Sequence, residues 1–331
     1  MEQRNVAAIA LGVFVSMSGM TPAAANAADD ASSYPSRPVR YILPNAPGSS
    51  ADVLARIIAK GLGEQLGQQV IVDSRPGAGG MLGVDLIAKA TPDGYTIGRG
   101  NAPGLAIAPH TYKKLPYDPF RDFVPVSLTD KGQSLLCVHP SVPATSVKEL
   151  IALLKAKPDQ YAMASPGVGS SGHLAGALFA SLAGIKTLHV PYKSAGHSVM
   201  SVVAGESQWT FTPMGATLPH IASGRLRALA VSDIKRSAQL PDIPTASEAG
   251  VPGYQSTGWG GIVAPRGTPA PIVEKLNAAI VRMLNTPEVK QLVAKNASEA
   301  VSSTPEEFVR FIREEYDRIG KVARAAKLTP D

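Results

Sequence analysis

One pattern recurs along the chain and limits its fold more than any other feature. A short apolar run is followed by a turn rich in Gly, Pro and Ser, and then by apolar residues at helical spacing. Residues 38–43 read as a strand and 44–50 as a turn. Val53, Leu54, Ile57, Ile58, Leu62 and Leu66 then recur on one helical face. The scheme repeats with a strand over 69–72, a turn over 77–80, a helix over 82–90 and a strand over 95–98. In the middle of the chain, strands are expected over 134–138, 161–164, 188–191, 209–212 and 226–231. Helices are expected over 147–155, from about 173, and over 198–204. Residues 254–263 read as extended, and 272–284, 287–295 and 305–326 as helices; Thr304-Pro305-Glu306-Glu307 supplies an N-cap, Pro at the first helical position and early acids.

Repeated strand–turn–helix units build mostly parallel sheets covered by helices, so the fold class is α/β. The 31 Gly and 28 Pro supply the turns, and 44% hydrophobic against 18% charged residues is enough for a packed core. The order of elements predicts two lobes, the first from residues 28–130 plus 255–331 and the second from 131–254. Extended crossings near 122–135 and 252–262 would form the hinge. The cleft between such lobes is where a small ligand binds.

The N-terminus has the layout of a secretory signal peptide: Arg4, an apolar run over 6–20, Pro22, and then Ala25-Asn26-Ala27. The run falls short of the ~20 residues of a membrane span. Cleavage after Ala27 predicts an exported, periplasmic mature chain that is not itself membrane-spanning. The single cysteine, Cys137, sits in an apolar run and reads as a small buried hydrophobe. The net charge of +6 is spread along the chain and aromatics are only 5%, which argues against a nucleic-acid partner.

Two turns carry the chemistry. The first runs from Pro44 to Asp52, the second from Ala164 to His173. Each follows a strand and opens a helix, where backbone N–H groups lack intrahelical partners and carry partial positive charge. A carboxylate seated there gains charge-assisted hydrogen bonds without Arg or Lys. Other chemistries fit less well. Gly167-x-Gly169-x-x-Gly172 matches a dinucleotide fingerprint, but residues 187–198 hold no Asp or Glu for a ribose. Ser170 and Ser171 lie near His173 without G-x-S-x-G. The six histidines show no metal-binding spacing. No cofactor, metal or catalytic residue is expected, and the chain does not read as an enzyme.

An ordered set of motifs runs through the mature chain. It includes Pro47-Gly48-x-x-x-Asp52-x-x-x-Arg56, Arg75-Pro76-Gly77-Ala78-Gly79-Gly80, Ala90-Thr91-Pro92-Asp93-Gly94-Tyr95 and Leu115-Pro116-Tyr117-Asp118. His189-Val190-Pro191-Tyr192-Lys193, Gly224 to Val231 and Leu240-Pro241-Asp242-Ile243-Pro244-Thr245 follow. The set resembles the Bug family, the TctC-like receptors of tripartite tricarboxylate transporters. The resemblance implies a two-lobe type II periplasmic binding protein, a small carboxylate ligand, and two membrane subunits as partners; a monomer is expected. By position it implies ligand contacts from Asn45, Ala46, Gly48, Ser49 and Ser50 in the first turn. The second turn would contribute Ser165, Gly167, Val168, Gly169, Ser170 and His173.

The chain departs from the family pattern in three places. Asn45 stands where an aromatic is usual, and Gly48-Ser49 where Gly-Gly is usual. In the stretch from Ala204 to Thr212, Gln208 and Thr212 replace two acids. With Thr212 at the ligand in place of an acid, a ligand amine would lack a counter-charge. The expected ligand is therefore an aliphatic di- or tricarboxylate, or an aromatic carboxylate such as a phthalate (terephthalate). A periplasmic carboxylate sensor feeding a signalling kinase would share this binding chemistry and differ in its partner. No role follows from the sequence for Trp209 or Trp259.

Overall fold

The computed structural model describes residues 33–158, 160–326 and 328; the expected signal peptide over 1–27 lies outside them. The strands are β1 Val39–Leu43, β2 Val70–Ser74, β3 Thr96–Asn101, β4 Phe123–Gly132, β5 Ser134–Val138 and β6 Met163–Ser165. They continue with β7 His189–Pro191, β8 Trp209–Pro213, β9 Arg227–Val231, β10 Gly258–Pro265 and β11 Ser298–Ala300. The helices are α1 Ser50–Leu66, α2 Met81–Ala88, α3 Ala108–Thr111, α4 Val147–Ala156 and α5 Ser171–Ala183. After them come α6 Ala195–Val203, α7 Met214–Ala222, α8 Ala270–Leu284, α9 Pro287–Lys295 and α10 Pro305–Ala325.

Two sheets result, in the orders β11-β4-β10-β3-β1-β2 and β7-β6-β8-β5-β9. Each has a parallel half, β2-β1-β3 in the first and β7-β6-β8 in the second. The other strands pair antiparallel, which the expectation of mostly parallel sheets did not include. The cause is the passage between sheets. β4 leaves the first sheet and, after Gln133 alone, becomes β5 of the second. The segment expected as an extended crossing near 122–135 is mostly strand, β4 and the start of β5. The return path ends in β10, which lies between β3 and β4.

Both faces of each sheet are covered, so side chains on alternate sides of one strand enter different cores. Val39, Tyr41 and Leu43 of β1 pack with Ile58, Leu62, Leu276 and Ile280, whereas Ile42 packs on the other face with Val84, Ile87 and Phe308. In β5, Leu136 and Val138 face Phe179 and Trp209, and Leu135 and Cys137 face Val199 and Val231. Cys137 is fully buried, and burial pushes its thiol up to about 12, so it packs as a hydrophobe. Trp209 belongs to an aromatic cluster with Phe179 and Phe211. Each such buried large side chain contributes roughly 1.5–3 kcal/mol.

Helix starts follow the cap residues. Ser49, Ser146, Ser170, Ser194 and Thr286 each accept an N–H from the first turn of their helix, and Thr304 with Glu307 forms a capping box. α7 was not anticipated, because Pro213 replaces a side-chain cap and Pro219 lies inside it. α10 begins against the first sheet and ends against the second: Val322 packs on the core around Trp209, and Arg318 donates to the Gln255 carbonyl.

Candidate ligand-binding site

In βα units the helix N-termini gather at the carboxyl ends of the parallel strands. Here α1 follows β1, α5 follows β6 and α6 follows β7, and all three open onto one cleft of about 630 Å³. Its walls include Asn45, Ala46 and Ser49 from the first turn, and Gly167, Val168, Ser170, Ser171 and Gly172 from the second. Gly77–Gly80, Tyr112, Tyr192 and Lys193 complete much of the remainder. Lys193 is exposed, and among the described residues it is the one charged side chain on the cleft wall.

The turns spend some of their N–H groups on themselves. Asp52, buried in the first turn of α1, accepts the Gly48 N–H (2.9 Å) and is held by Arg56 Nε (3.1 Å). In the second turn, Gly167 N–H donates to Ser165 Oγ (3.2 Å) and Gly169 N–H to His173 Nδ1 (3.3 Å). Ser170 Oγ donates to the Gly167 carbonyl (2.7 Å). Among the described residues, the N–H groups of Ser50, Ala51, Val168, Ser171, Gly172, Ala195 and Gly196 make no hydrogen bond. These are the donors left to receive an anion.

A pair of histidines braces the second turn. His173 and His189 stack with ring centroids 4.1 Å apart, and His189 Nε2 lies 2.6 Å from Ser165 Oγ. Burial, and then the neighbouring His189, lower the His173 pKa to about 4, so the ring is neutral and Nδ1 is free to accept from Gly169. Burial also lowers His189. Tyr112, just after α3, donates its hydroxyl to the Val168 carbonyl (3.2 Å), tying the wall of the first sheet to the second turn.

Adjoining the cleft is a smaller, inner cavity of about 130 Å³. Asn45, Pro103, Ser171 and Pro213 line both compartments. Its floor is an ion pair: Arg99 Nη1 and Nη2 donate to Asp130 Oδ1 and Oδ2, each at 2.7 Å, with the residues only 4% and 3% exposed. Burial alone would lower the Arg99 pKa, but Asp130 more than offsets it and raises it. A Cβ on Gly260 would lie 2.1 Å from the Arg99 guanidinium, so glycine is required where β10 passes over the pair.

Of the expected contacts, Asn45, Ala46, Ser49, Gly167, Val168 and Ser170 line the cleft, and Ser50 lines the inner cavity. Gly48, Ser165, Gly169 and His173 do not line either compartment; they shape the turns through the bonds above. Gly169 has φ +75°, and a Cβ there would meet the Tyr112 ring at 2.9 Å, so glycine serves the turn and the Tyr112 contact. Thr212 is fully buried and bonded to Thr210 Oγ1 (2.8 Å), with no wall position in either compartment. Gln208, at the opposite end of β8, holds the Ala162 N–H and the Gly205 carbonyl. Sequence reasoning missed Ala51, Ser171, Gly172, Lys193, Arg99 and Asp130. The three helix-start residues were open to inference from the caps preceding them.

The architecture is a two-sheet α/β fold of the kind seen in periplasmic binding proteins, with a cleft lined by residues from both sheets. Residues 54–328 match the tripartite tricarboxylate transporter family receptor (TctC), and the chain belongs to that family. It is 38% identical to protein BugT of Bordetella pertussis over 272 residues, covering 82% of each chain. The structure of Rhodopseudomonas palustris Rpa4515 with adipate superposes with a TM-score of 0.87 at 34% identity, covering 90% of this chain and 100% of that one. MatC from the same organism, with bound malate, gives 0.83 at 31% identity over 87% and 99%. The periplasmic binding protein BugD superposes with a TM-score of 0.84 at 30% identity, covering 90% of this chain and 100% of that one, and the family is one of receptors, not enzymes. Among the described residues no helix is long and apolar enough to cross a membrane.

Two outcomes are expected. Tyr112→Phe removes a bond worth roughly 0.5–1.5 kcal/mol between the two walls. Stopped-flow measurement with a bound carboxylate should show a faster off-rate, by roughly two- to tenfold, and an unchanged rate would contradict the tie. His173, with its pKa depressed in the fold, contributes stability that is present above about pH 6.5 and lost as pH falls toward about 4. Urea titrations of His173→Asn across that window should show a shallower acid-side decline than wild type.

Proposed function

We propose that the chain is an exported periplasmic receptor that captures a small carboxylate and delivers it to the two membrane subunits of a tripartite transporter. The observation that carries this reading is the lining of the cleft. Among the described residues, unpartnered N–H groups at the starts of α5 and α6 line the cleft, those of Ser50 and Ala51 at the start of α1 line the adjoining cavity, Lys193 adds the one formal charge on the cleft wall, and no carboxylate lines the cleft. Such a wall attracts an anion and offers no counter-charge to an amine. The signal-peptide layout of residues 1–27 supports export. Adipate in Rpa4515 and malate in MatC support carboxylate capture at a cleft of this kind.

The mechanism is closure about the β4–β5 passage and the return into β10, between a lobe of residues 28–130 plus 255–331 and a lobe of 131–254. The ligand carboxylate docks on the first turn, and the second turn then closes onto it. A monomer suffices, because both walls come from one chain. A thermal-shift screen of residues 28–331 against carboxylates, amines and neutral sugars tests the reading. Ligand at 100 times its Kd should add about 2.7 kcal/mol of stability. Melting should rise with certain carboxylates and not with amines, and aspartate should bind more weakly than its amine-free counterpart. Tight binding of aspartate would contradict the reading, as would a response to neutral sugars alone.

A further inference from the structure

The first residue of α1 is held by a side chain 246 positions away. Asn296, just after α9, donates its Nδ2 to the Ser50 carbonyl (3.1 Å) and to Ser50 Oγ (2.9 Å). A carbonyl can only accept, so the amide has one admissible orientation, with Nδ2 toward Ser50. A hydroxyl both accepts and donates. Ser50 Oγ accepts from Asn296, and among the described residues its own hydrogen has no acceptor. The Ser50 N–H is likewise free. Ser50 therefore brings two donors to the inner cavity, which both it and Asn296 line.

The segment that carries Asn296 touches both sides of this cavity. It hangs from α9, whose Val289 and Val293 pack in the same core as Leu54 and Ile58 of α1. On the other side it meets residues of the second sheet. Gln239 Nε2 donates to the Ala294 carbonyl. A Cβ on Gly215, in the first turn of α7, would lie 2.8 Å from the Asn296 carbonyl oxygen and 3.2 Å from Ser50 Oγ. The start of α7 thus fits over the Asn296–Ser50 pair only because residue 215 is glycine. Ala297 has φ +55°, a conformation that favours glycine. Its methyl group packs on the core of Leu135, Met214 and Val231, a contact that glycine would lack.

We infer that Asn296 is a positioning residue for ligand capture. It fixes Ser50 Oγ as an acceptor from the amide, which leaves the Ser50 O–H and N–H as a donor pair for the ligand carboxylate. Contact with Gln239, Gly215 and the Met214 core holds the same segment against the second sheet, so release of the ligand requires that contact to part. The inference rests on the carboxylate-receptor reading above and deepens it.

The test is calorimetry and stopped-flow kinetics of residues 28–331 with adipate and with malate, or, where neither binds, with the carboxylate that gives the largest thermal shift. Asn296→Ala should weaken binding about three- to tenfold, the range of one hydrogen bond of ordinary net strength. Ser50→Ala should do the same. The double variant should lie near the weaker single variant and well short of the product of the two effects, because Asn296 acts through Ser50. A merely structural role would not produce that coupling. Asn296→Asp keeps the side-chain size but only accepts, so it captures the Ser50 hydrogen; it should lose more affinity than Asn296→Ala, and it is read alone where Asn296→Ala does not fold. Gly215→Ala, a change that suits a helix, should speed ligand release at least about threefold. Unchanged affinity in the folded Asn296 variants overturns the inference and leaves the receptor reading standing. So do single effects that multiply in full, or an unchanged release rate in Gly215→Ala. Failure of the wild type to bind any carboxylate overturns both.

Discussion

A helix cannot satisfy its own first N–H groups, and this protein is arranged around that shortfall. Parallel strands oblige the helices that follow them to start at one edge of each sheet, so α1, α5 and α6 begin on a common cleft. Part of the shortfall is met internally. Ser49 and Ser170 cap their helices, Asp52 takes the Gly48 N–H, and His173 takes that of Gly169. The remainder stays open, as a concentration of partial positive charge created by backbone geometry.

The second constraint is the route between the sheets. Because β4 runs into β5 and the return path enters as β10, the central antiparallel strands tie the two sheets together. The same arrangement buries Arg99 of β3 against Asp130 of β4 across Gly260 of β10. Removing either partner would strand a charge, at about 3–5 kcal/mol. The pair therefore gives the inner cavity a polar lining in which the two charges cancel.

Much of the fold was legible in the sequence because its determinants are local. Thr304 announces a helix, and the short apolar runs of β1 and β5, each bounded by turn residues, announce strands. α7 was hidden because Pro213 and Pro219 remove the usual signals, and the length of β4 was hidden because its pairing with β10 is set far away in sequence. At the site, the two turns were legible as strand-to-helix junctions. Which N–H groups remain free was not, because that depends on side chains such as His173 folding back onto Gly169. Thr212 looked like a ligand contact from its place in a motif, yet β8 turns it into the core beside Thr210. Arg99 and Asp130 gave no local signal, since only sheet register brings them together.

The most direct measurement is a crystal structure of residues 28–331 with a bound carboxylate. A carboxylate oxygen is expected at about 2.7–3.2 Å from backbone nitrogens of both walls, drawn from Ser50 and Ala51 on one side and Val168, Ser171 and Gly172 on the other. A carboxylate held instead by side-chain cations away from these helix starts would contradict it.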